Sequence, residues 1–510
     1  MSRVTAFIAV DLGSSSGRVM LGTVSPPEGE GSENESSGSY TLQQVHRFAN
    51  IPLQPGEGGF DALAWDAHHL FDETLDGVSQ AIALARERQL PIAGIGVDAW
   101  GVDYGRIDSG GELLPPVRHH RGADHSMPVR SAEAVDPTTA YRITGVLDQS
   151  INTSHQLRTD VETGVDQAAS TLLLVPDLWV YWLTGRRAAE RTIASTTQLL
   201  DRRTGQWSQE LTEAWGITTT LPPLVDDKVL AGPTSPAVTA RIGADRPLPV
   251  YFVAGHDTAS AFAAAGGIEA GALSVVGIVS CGSWAVTGIA IDQPVLTEEA
   301  RLLGFTQELG AEGATLLVRN LSGMWLLQEC MRTWAADDVA ANDAAAGGKP
   351  ASDLLDLLDA AAGIDHPAIF DVADETLQRP GRLPDRITQL CLAAGYPRPG
   401  SRAQIVRIIV RSLAVAYADT LREAARIAGK QLASVRIVGG GARNRLLCQL
   451  TADETGLEVE AGPAEASSLG ILFTLAVAAG TLPDMKTARK LPPTDDREAT
   501  ACGPNFSQAR

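Results

Sequence analysis

Thr5-Ala-Phe-Ile-Ala-Val-Asp-Leu-Gly-Ser-Ser-Ser-Gly-Arg-Val-Met-Leu-Gly-Thr-Val24 is the stretch on which the fold turns. Thr5–Val10 is an apolar, β-rich run, Asp11–Gly17 is a turn of small residues, and Arg18–Val24 is apolar again. That order reads as a β-hairpin. A Rossmann or P-loop unit passes from strand through a glycine loop into a helix. Here Val19-Met20-Leu21 continues as strand, so neither fits. Outward from the hairpin, Ser25–Ser39 is acidic and of low complexity, a long tip from which Tyr40–Phe48 returns as a third strand.

The pattern recurs. Leu273–Val279, the small-residue turn Ser280-Cys-Gly-Ser283, and Trp284–Ile291 form a second hairpin of the same design. A helix over Asp66–Arg88 carries Phe71, Leu75, Val78, Ile82 and Ala85 on one face, and a short strand Ile92–Val97 follows it. A further helix starts at Pro176 and stops before Gly185. In the second half, helix Arg402–Ile427 precedes strand Val435–Val438, which runs into Gly439-Gly-Gly-Ala-Arg-Asn444. Two hairpins in two halves predict a duplicated domain with a cleft between the copies.

Composition bounds the function. The chain has 510 residues with 41 Lys and Arg against 61 Asp and Glu, a net charge of −20. Nucleic acid and anionic membrane need a basic face and are not expected partners. At 44% hydrophobic and 20% charged the chain is neither disordered nor membrane-rich. Five cysteines (Cys281, Cys330, Cys391, Cys448 and Cys502) lie far apart without a Cys-x-x-Cys pair, which suits a reducing compartment. The first apolar run is stopped by Asp11 and none reaches the ~20 residues of a membrane span, so a cytoplasmic protein without a signal peptide is expected.

Four stretches could carry chemistry. In Asp11–Arg18, small residues let backbone N–H groups and hydroxyls approach phosphate oxygens, and a carboxylate at the strand end can hold Mg²⁺ through water; an ordinary hairpin turn explains it equally. Ser280–Ser283 offers the same donors more weakly. Gly439-Gly440-Gly441 removes side chains where a flat ring could lie on the backbone. Gly255-His256-Asp257-Thr258 sets a carboxylate at a strand end, where it could take a proton from an alcohol attacking phosphorus, or simply cap a helix. The cluster His119, His120 and His125 lacks metal-ligand spacing and reads as a basic loop. Trp100 beside Gly101 could be a sugar platform, although a core aromatic is the commoner role.

Taken together, these stretches resemble the FGGY carbohydrate kinases. The resemblance rests on Ala9-Val-Asp-Leu-Gly13, Ser15–Leu21, Asp98-Ala-Trp-Gly-Val-Asp-Tyr104 and His256-Asp-Thr-Ala-Ser260. It continues in Asn320-Leu-Ser-Gly-Met-Trp-Leu-Leu-Gln328, Val438-Gly-Gly-Gly441 and Gly462-Pro-Ala-Glu-Ala-Ser467, spanning residues 6–480. The Trp-Gly-Val-Asp and Gly-Met-Trp-Leu-Leu-Gln stretches favour the rhamnulokinase group.

The resemblance implies an α/β fold of two actin-like (ribonuclease H-like) domains with the active site in an interdomain cleft. The expected bounds are 1–263, sugar-binding with the first phosphate hairpin, 264–483, nucleotide-binding, and a surface tail at 484–510. It implies transfer of the ATP γ-phosphoryl group to a ketose, here C1 of L-rhamnulose, with Asp257 as general base. Gly101, His256, Asp257, Thr258 and Asn320 fall where the family holds sugar. Ser14, Ser15, Ser16, Gly17, Arg18, Ser283, Gln328 and Gly440 fall where it holds ATP, and Asp11 on the Mg²⁺ side through water. The chain departs at His120-Arg121-Gly122, where the family has Tyr-Arg-Asp, so an acidic partner is missing or shifted to Asp124. Another ketose (L-fuculose, xylulose or ribulose), a silent sugar and nucleotide sensor, and a metal hydrolase on the histidine cluster are the competing readings.

Overall fold

Strands β1 (Thr5–Leu12) and β2 (Ser16–Ser25) pair antiparallel from Thr5 opposite Val24 to Leu12 opposite Gly17, forming the hairpin read from the sequence. β3 (Ser39–Ala49) pairs antiparallel with β2. In this computed structural model residues 4–27, 38–57, 61–165, 170–266, 272–344, 353–494 and 501–504 are described, so most of the acidic tip at Ser25–Ser39 lies outside the described residues. The chain divides into two units.

Unit 1 comprises Met1–Gly266, Ile291–Leu317 and Ala466–Arg497. After β3 comes α1 (Ala67–Glu87), capped by Asp66, whose carboxylate accepts from the His69 amide. Its apolar face buries Leu70, Leu75, Val78, Ile82 and Ala85, and the same core holds Ile8, Val10, Val19, Leu21 and Ile95. β4 (Ile92–Ala99) lies parallel to β1, and β5 (Leu230–Pro233) and β6 (Pro249–Tyr251) complete the sheet, in the order β5-β6-β4-β1-β2-β3. α2 (Asp257–Ala265) follows β6, and β9 (Thr306–Leu309) belongs to the same unit.

Unit 2 comprises Gly267–Ala290, Val318–Glu465 and Glu498–Arg510. Its hairpin is β7 (Ser274–Cys281) with β8 (Trp284–Ile291). β10 (Thr315–Ser322), α3 (Trp325–Ala344) and α4 (Arg402–Ile427) follow, then β11 (Gln431–Val438), parallel to β7, then β12 (Val459–Ala461) and β13 (Ala501–Cys502). Six of the seven strands of this sheet, in the order β10-β8-β7-β11-β12-β13, match β3-β2-β1-β4-β6-β5 strand for strand. Each unit thus has an antiparallel hairpin whose first strand takes a parallel neighbour, the actin-like pattern, and the duplication is real.

The expected surface tail at 484–510 is corrected for its described residues up to 494. Met485, Ala488 and Leu491 are buried, the Arg489 guanidinium donates to the Ala263 carbonyl at 2.7 Å and meets Glu312 at 2.9 Å, and Pro493 bridges Tyr40. Its Pro, Thr and charged residues suggested a tail, but the interleaved apolar residues dock it. α5 (Ala466–Ala478), just before this segment, also packs in unit 1.

Candidate functional site

In unit 1 the first hairpin presents Ser14 and Ser15 exposed, with Ser16 and Arg18 half-buried and Gly17 buried. Asn50 braces the turn: its side-chain amide donates to the Gly13 carbonyl at 2.8 Å and its backbone N–H to the Ser15 carbonyl at 3.1 Å. The Ser16 hydroxyl accepts from the Arg47 guanidinium at 3.3 Å. Asp11, 4% exposed, accepts from Ser468 Oγ on α5 at 2.8 Å and lies 3.7 Å from Arg18.

Asp98 is opposite Asp11 in the parallel β1–β4 register. It is fully buried, and neither carboxylate oxygen has a hydrogen-bond partner. The adjacent Ser260 hydroxyl spends its one proton on the Ala254 carbonyl at 2.8 Å. Burial first, then the Asp11 and Asp257 carboxylates, push the Asp98 carboxyl well above the usual range. Two buried carboxylates side by side, one without a donor, suit a divalent cation on the Asp11 side. Sequence reasoning quoted Asp98 within a motif but gave it no role, because a strand-end aspartate looks like a turn residue.

The β4 end also positions the second group. Ala99 bridges His256, and its N–H donates to the Gly255 carbonyl at 2.9 Å. Gly101 lies two residues beyond that bridge, and Val102 after it holds a positive φ of 70°, a strained conformation for a β-branched residue. Asp257 opens α2, where the helix N-terminus favours a negative charge. Its Oδ1 accepts from the Thr258 amide at 2.6 Å and hydroxyl at 3.3 Å and faces His256 Nε2 at 3.4 Å.

The Asp257 side chain keeps 32% of its surface exposed, so solvent reaches it. The surrounding protein nevertheless raises its pKa by desolvation, with His256 pulling it back. His256 Nδ1 lies 3.0 Å from Glu308 Oε2 on β9. Burial disfavours the imidazolium, but Glu308, with Asp257 and Glu190 behind it, outweighs that and holds His256 up at about 9. Glu190 Oε2 accepts from the Gly255 N–H at 2.9 Å and the Thr192 N–H at 2.9 Å, clamping the loop that leads to the base. Glu308 and Glu190 carried no sequence signal, since each acts through a contact distant along the chain.

Unit 2 groups its own candidates. The Ser283 hydroxyl donates to Gln328 Oε1 at 3.4 Å, and the Gly323 and Trp325 N–H groups donate to the Ser283 carbonyl, seating the second hairpin tip on the start of α3. Ser280 pairs with Val438, which brings the glycine turn beside the hairpin. The three glycines do different work. A Cβ on Gly439, whose φ is +79°, would lie 2.9 Å from the Cys281 carbonyl, and one on Gly441 would lie 2.4 Å from Cys281 Sγ. One on Gly440 would meet nothing within 4 Å. Packing therefore explains two of the three, and only Gly440 presents bare, open backbone. Asn320 is an exposed residue of β10.

The structure gathers His119 and His120 around Asp103 with candidate ligand atoms within 4.8 Å of one another, and leaves His125 outside the group. Asp103 Oδ2 accepts from Trp65 Nε1 at 2.7 Å and Trp100 Nε1 at 2.9 Å and meets His120 Nδ1 at 2.8 Å, while His119 Nδ1 accepts from the Arg121 N–H at 3.0 Å. Burial pushes His119 down to about 4, so it is neutral near pH 7. A metal would have to displace these donors. Trp100 is a buried aromatic packed on Trp65 at 4.6 Å. Asp124 binds Arg130 at 2.6 Å and Ser126 at 2.7 Å.

Comparison with known proteins follows the same lines. Residues 41–264 match the N-terminal domain, and residues 277–479 the C-terminal domain, of the FGGY family of carbohydrate kinases. The rhamnulokinase of Bacteroides thetaiotaomicron is 31% identical over 490 residues, covering 95% of this chain and 93% of its own. That of Enterococcus faecalis is 33% identical over 492 residues, covering 95% and 91%. A solved structure of ligand-bound xylulose kinase from Lactobacillus acidophilus superposes with a TM-score of 0.74 at 15% identity, covering 98% of this chain and 94% of its own. Plasmodium falciparum glycerol kinase with ADP does so with 0.72 at 14% identity, covering 99% and 95%. Fold and sequence thus define an actin-like phosphotransferase that acts on a sugar hydroxyl with ATP as donor. The chain belongs to the FGGY family of carbohydrate kinases. Among the described residues, no helix is long and apolar enough to cross a membrane.

Proposed function

We propose that the protein phosphorylates L-rhamnulose at its C1 hydroxyl, forming L-rhamnulose 1-phosphate and ADP, with Asp257 as general base. The observation that carries this is the state of Asp257. Its Oδ1 is occupied by Thr258 and His256, while Oδ2 has no protein hydrogen bond among the described residues and solvent reaches the group. As the C1 oxygen attacks the γ-phosphorus, its O–H bond breaks and the proton passes to Asp257, while the bond from phosphorus to the bridging oxygen breaks and ADP leaves.

Gly101, His256, Thr258 and Asn320 are read as sugar contacts. Ser14–Arg18, Ser283, Gln328 and Gly440 are read as the ATP contacts. Mg²⁺ bound with ATP supplies charge neutralisation on the phosphates, and Asp11 would hold it through water with Asp98 alongside. Hairpin N–H groups and hydroxyls stabilise the phosphate charge from the protein side. The choice of L-rhamnulose is supported by the names of the curated relatives, while His120-Arg121-Gly122 is the stretch that would redirect it.

A coupled ADP-release assay with Mg-ATP against L-rhamnulose, L-fuculose, L- and D-xylulose, L- and D-ribulose and glycerol tests the reading. Preference for L-rhamnulose supports it, another preferred ketose replaces the substrate, and ATP binding without sugar-dependent ADP release replaces the enzyme with a sensor. Asp257→Asn should fold and bind ATP yet lose roughly 10²–10⁴-fold in kcat. Near-normal turnover in that variant would remove Asp257 from the base role.

A further inference from the structure

The residue least explained by the reading above is Glu308. It sits on β9, its side chain is only 13% exposed, and it lies 51 residues from the base in sequence while standing against His256. Glu308 Oε2, His256 Nδ1, His256 Nε2 and Asp257 Oδ1 form a line of two short steps, 3.0 Å and 3.4 Å. The geometry points to Glu308 as a positioning residue that, as the counter-ion of His256, holds the imidazolium in place and through it orients Asp257. The inference rests on Asp257 being the base.

The physical case is that an imidazole between two carboxylates needs a proton on each nitrogen to satisfy both. The Nδ1–Glu308 contact at 3.0 Å is an ion pair without hydrogen-bond alignment, and Nε2 stands 3.4 Å from Asp257 Oδ1. That leaves Oδ2 to receive the substrate proton. The other charged groups facing the line are Glu190, beneath the Gly255 turn, Asp98 beside Asp257, and Arg202 near Glu308. Arg202 is anchored by its bond to Thr315 Oγ1 at 2.7 Å and acts on Glu308 electrostatically. Removing the Glu308 charge withdraws the main support of His256⁺ (burial otherwise lowers its pKa) and so raises the proton affinity of Asp257. The direct repulsion of Asp257 by Glu308 acts in the opposite sense but is the smallest of the contributions there.

Three measurements on the full-length protein test this. Glu308→Gln should lower kcat roughly tenfold or more, as loss of an orienting partner does elsewhere, leave KM for ATP within twofold, and move the acid limb of kcat upward. Glu308→Asp, which keeps the charge, should recover most of the rate. Imidazole NMR should show His256 protonated at pH 7.5 in the parent and neutral in Glu308→Gln. Unchanged kcat and pH profile in a folded Glu308→Gln, or a parent His256 that is neutral at pH 7.5, would overturn the assignment. If Glu308→Gln does not fold, the parent NMR titration and the Glu308→Asp rate still decide. If Asp257→Asn retains turnover, the base reading fails by itself, and the His256 titration still reports whether Glu308 holds the ring.

Discussion

The Gly470→Ala substitution tests how the base is held. Gly470 lies on α5 where that helix crosses α2, and a Cβ placed on it would be 1.9 Å from the Ser260 carbonyl oxygen, 2.6 Å from its carbonyl carbon and 3.0 Å from its Cα. These are backbone atoms, so no rotamer change relieves the clash. To reach 3.0 Å from the oxygen, the shortest separation a Cβ tolerates, the two helices must part by about 1.1 Å. Ser260 is three residues after Asp257 on the same short helix, and Ser468 on α5 holds Asp11. The displacement is therefore delivered to the base, the Asp11 anchor, or both. Overpacking of this kind costs about 1–3 kcal/mol, which lowers the Tm of a unit this size by about 1.5–4.5 °C. A misplacement near 1 Å at a reacting group costs on the order of 10²-fold in rate. Thermal unfolding and steady-state ADP release on the same preparations read both effects. Gly363→Ala, where a Cβ would meet nothing within 4 Å, serves as the control. A Gly470→Ala protein with Tm within 1 °C and kcat within threefold of the parent would refute the helix-crossing argument. A lowered Tm with kcat intact would show that the contact is structural and does not register the base.

Three further outcomes are expected. Gly440→Val should leave Tm unchanged, since its side chain enters open space, yet raise KM for ATP about tenfold or more. Gly441→Ala, against Cys281 Sγ, should instead destabilise unit 2, and an unchanged KM in Gly440→Val removes that backbone from the nucleotide contacts. The raised His256 pKa makes stability pH-dependent. Its contribution is fully present below the unfolded value of about 6.5 and is lost as pH rises through about 9. Chemical denaturation between pH 6.5 and 10 should show a decline on the order of 3 kcal/mol that is absent in His256→Gln; parallel curves for the two proteins would contradict the pairing with Glu308.

Much of the architecture was legible because it is written in short-range patterns. The hairpin at Thr5–Val24, its counterpart at Ser274–Ile291, and helix Arg402–Ile427 each declare themselves through runs of apolar residues with a period the backbone imposes. The tail was misjudged for the converse reason. Met485, Ala488 and Leu491 are too few and too widely interrupted to form a pattern, and only the surface they dock against makes them core. The site divides along the same line. Asp257, His256 and the serine turn stood out as local motifs, whereas Asp98 looked like a routine turn residue and Glu308 and Glu190 like ordinary surface acids.

The sequence by itself determined the two repeated hairpins, the family, and the residue types offered at each turn, because these depend on local periodicity and on motif spacing along the chain. Only the tertiary structure decided what those residues are worth chemically. Asp98 loses every donor because the parallel register buries it beside Asp11. Of three identical glycines, two answer to Cys281 and one to open space. His256 gains its charge from a glutamate 52 residues further along the chain. Electrostatic and steric energies depend on separation in space, and folding sets that separation independently of distance along the chain.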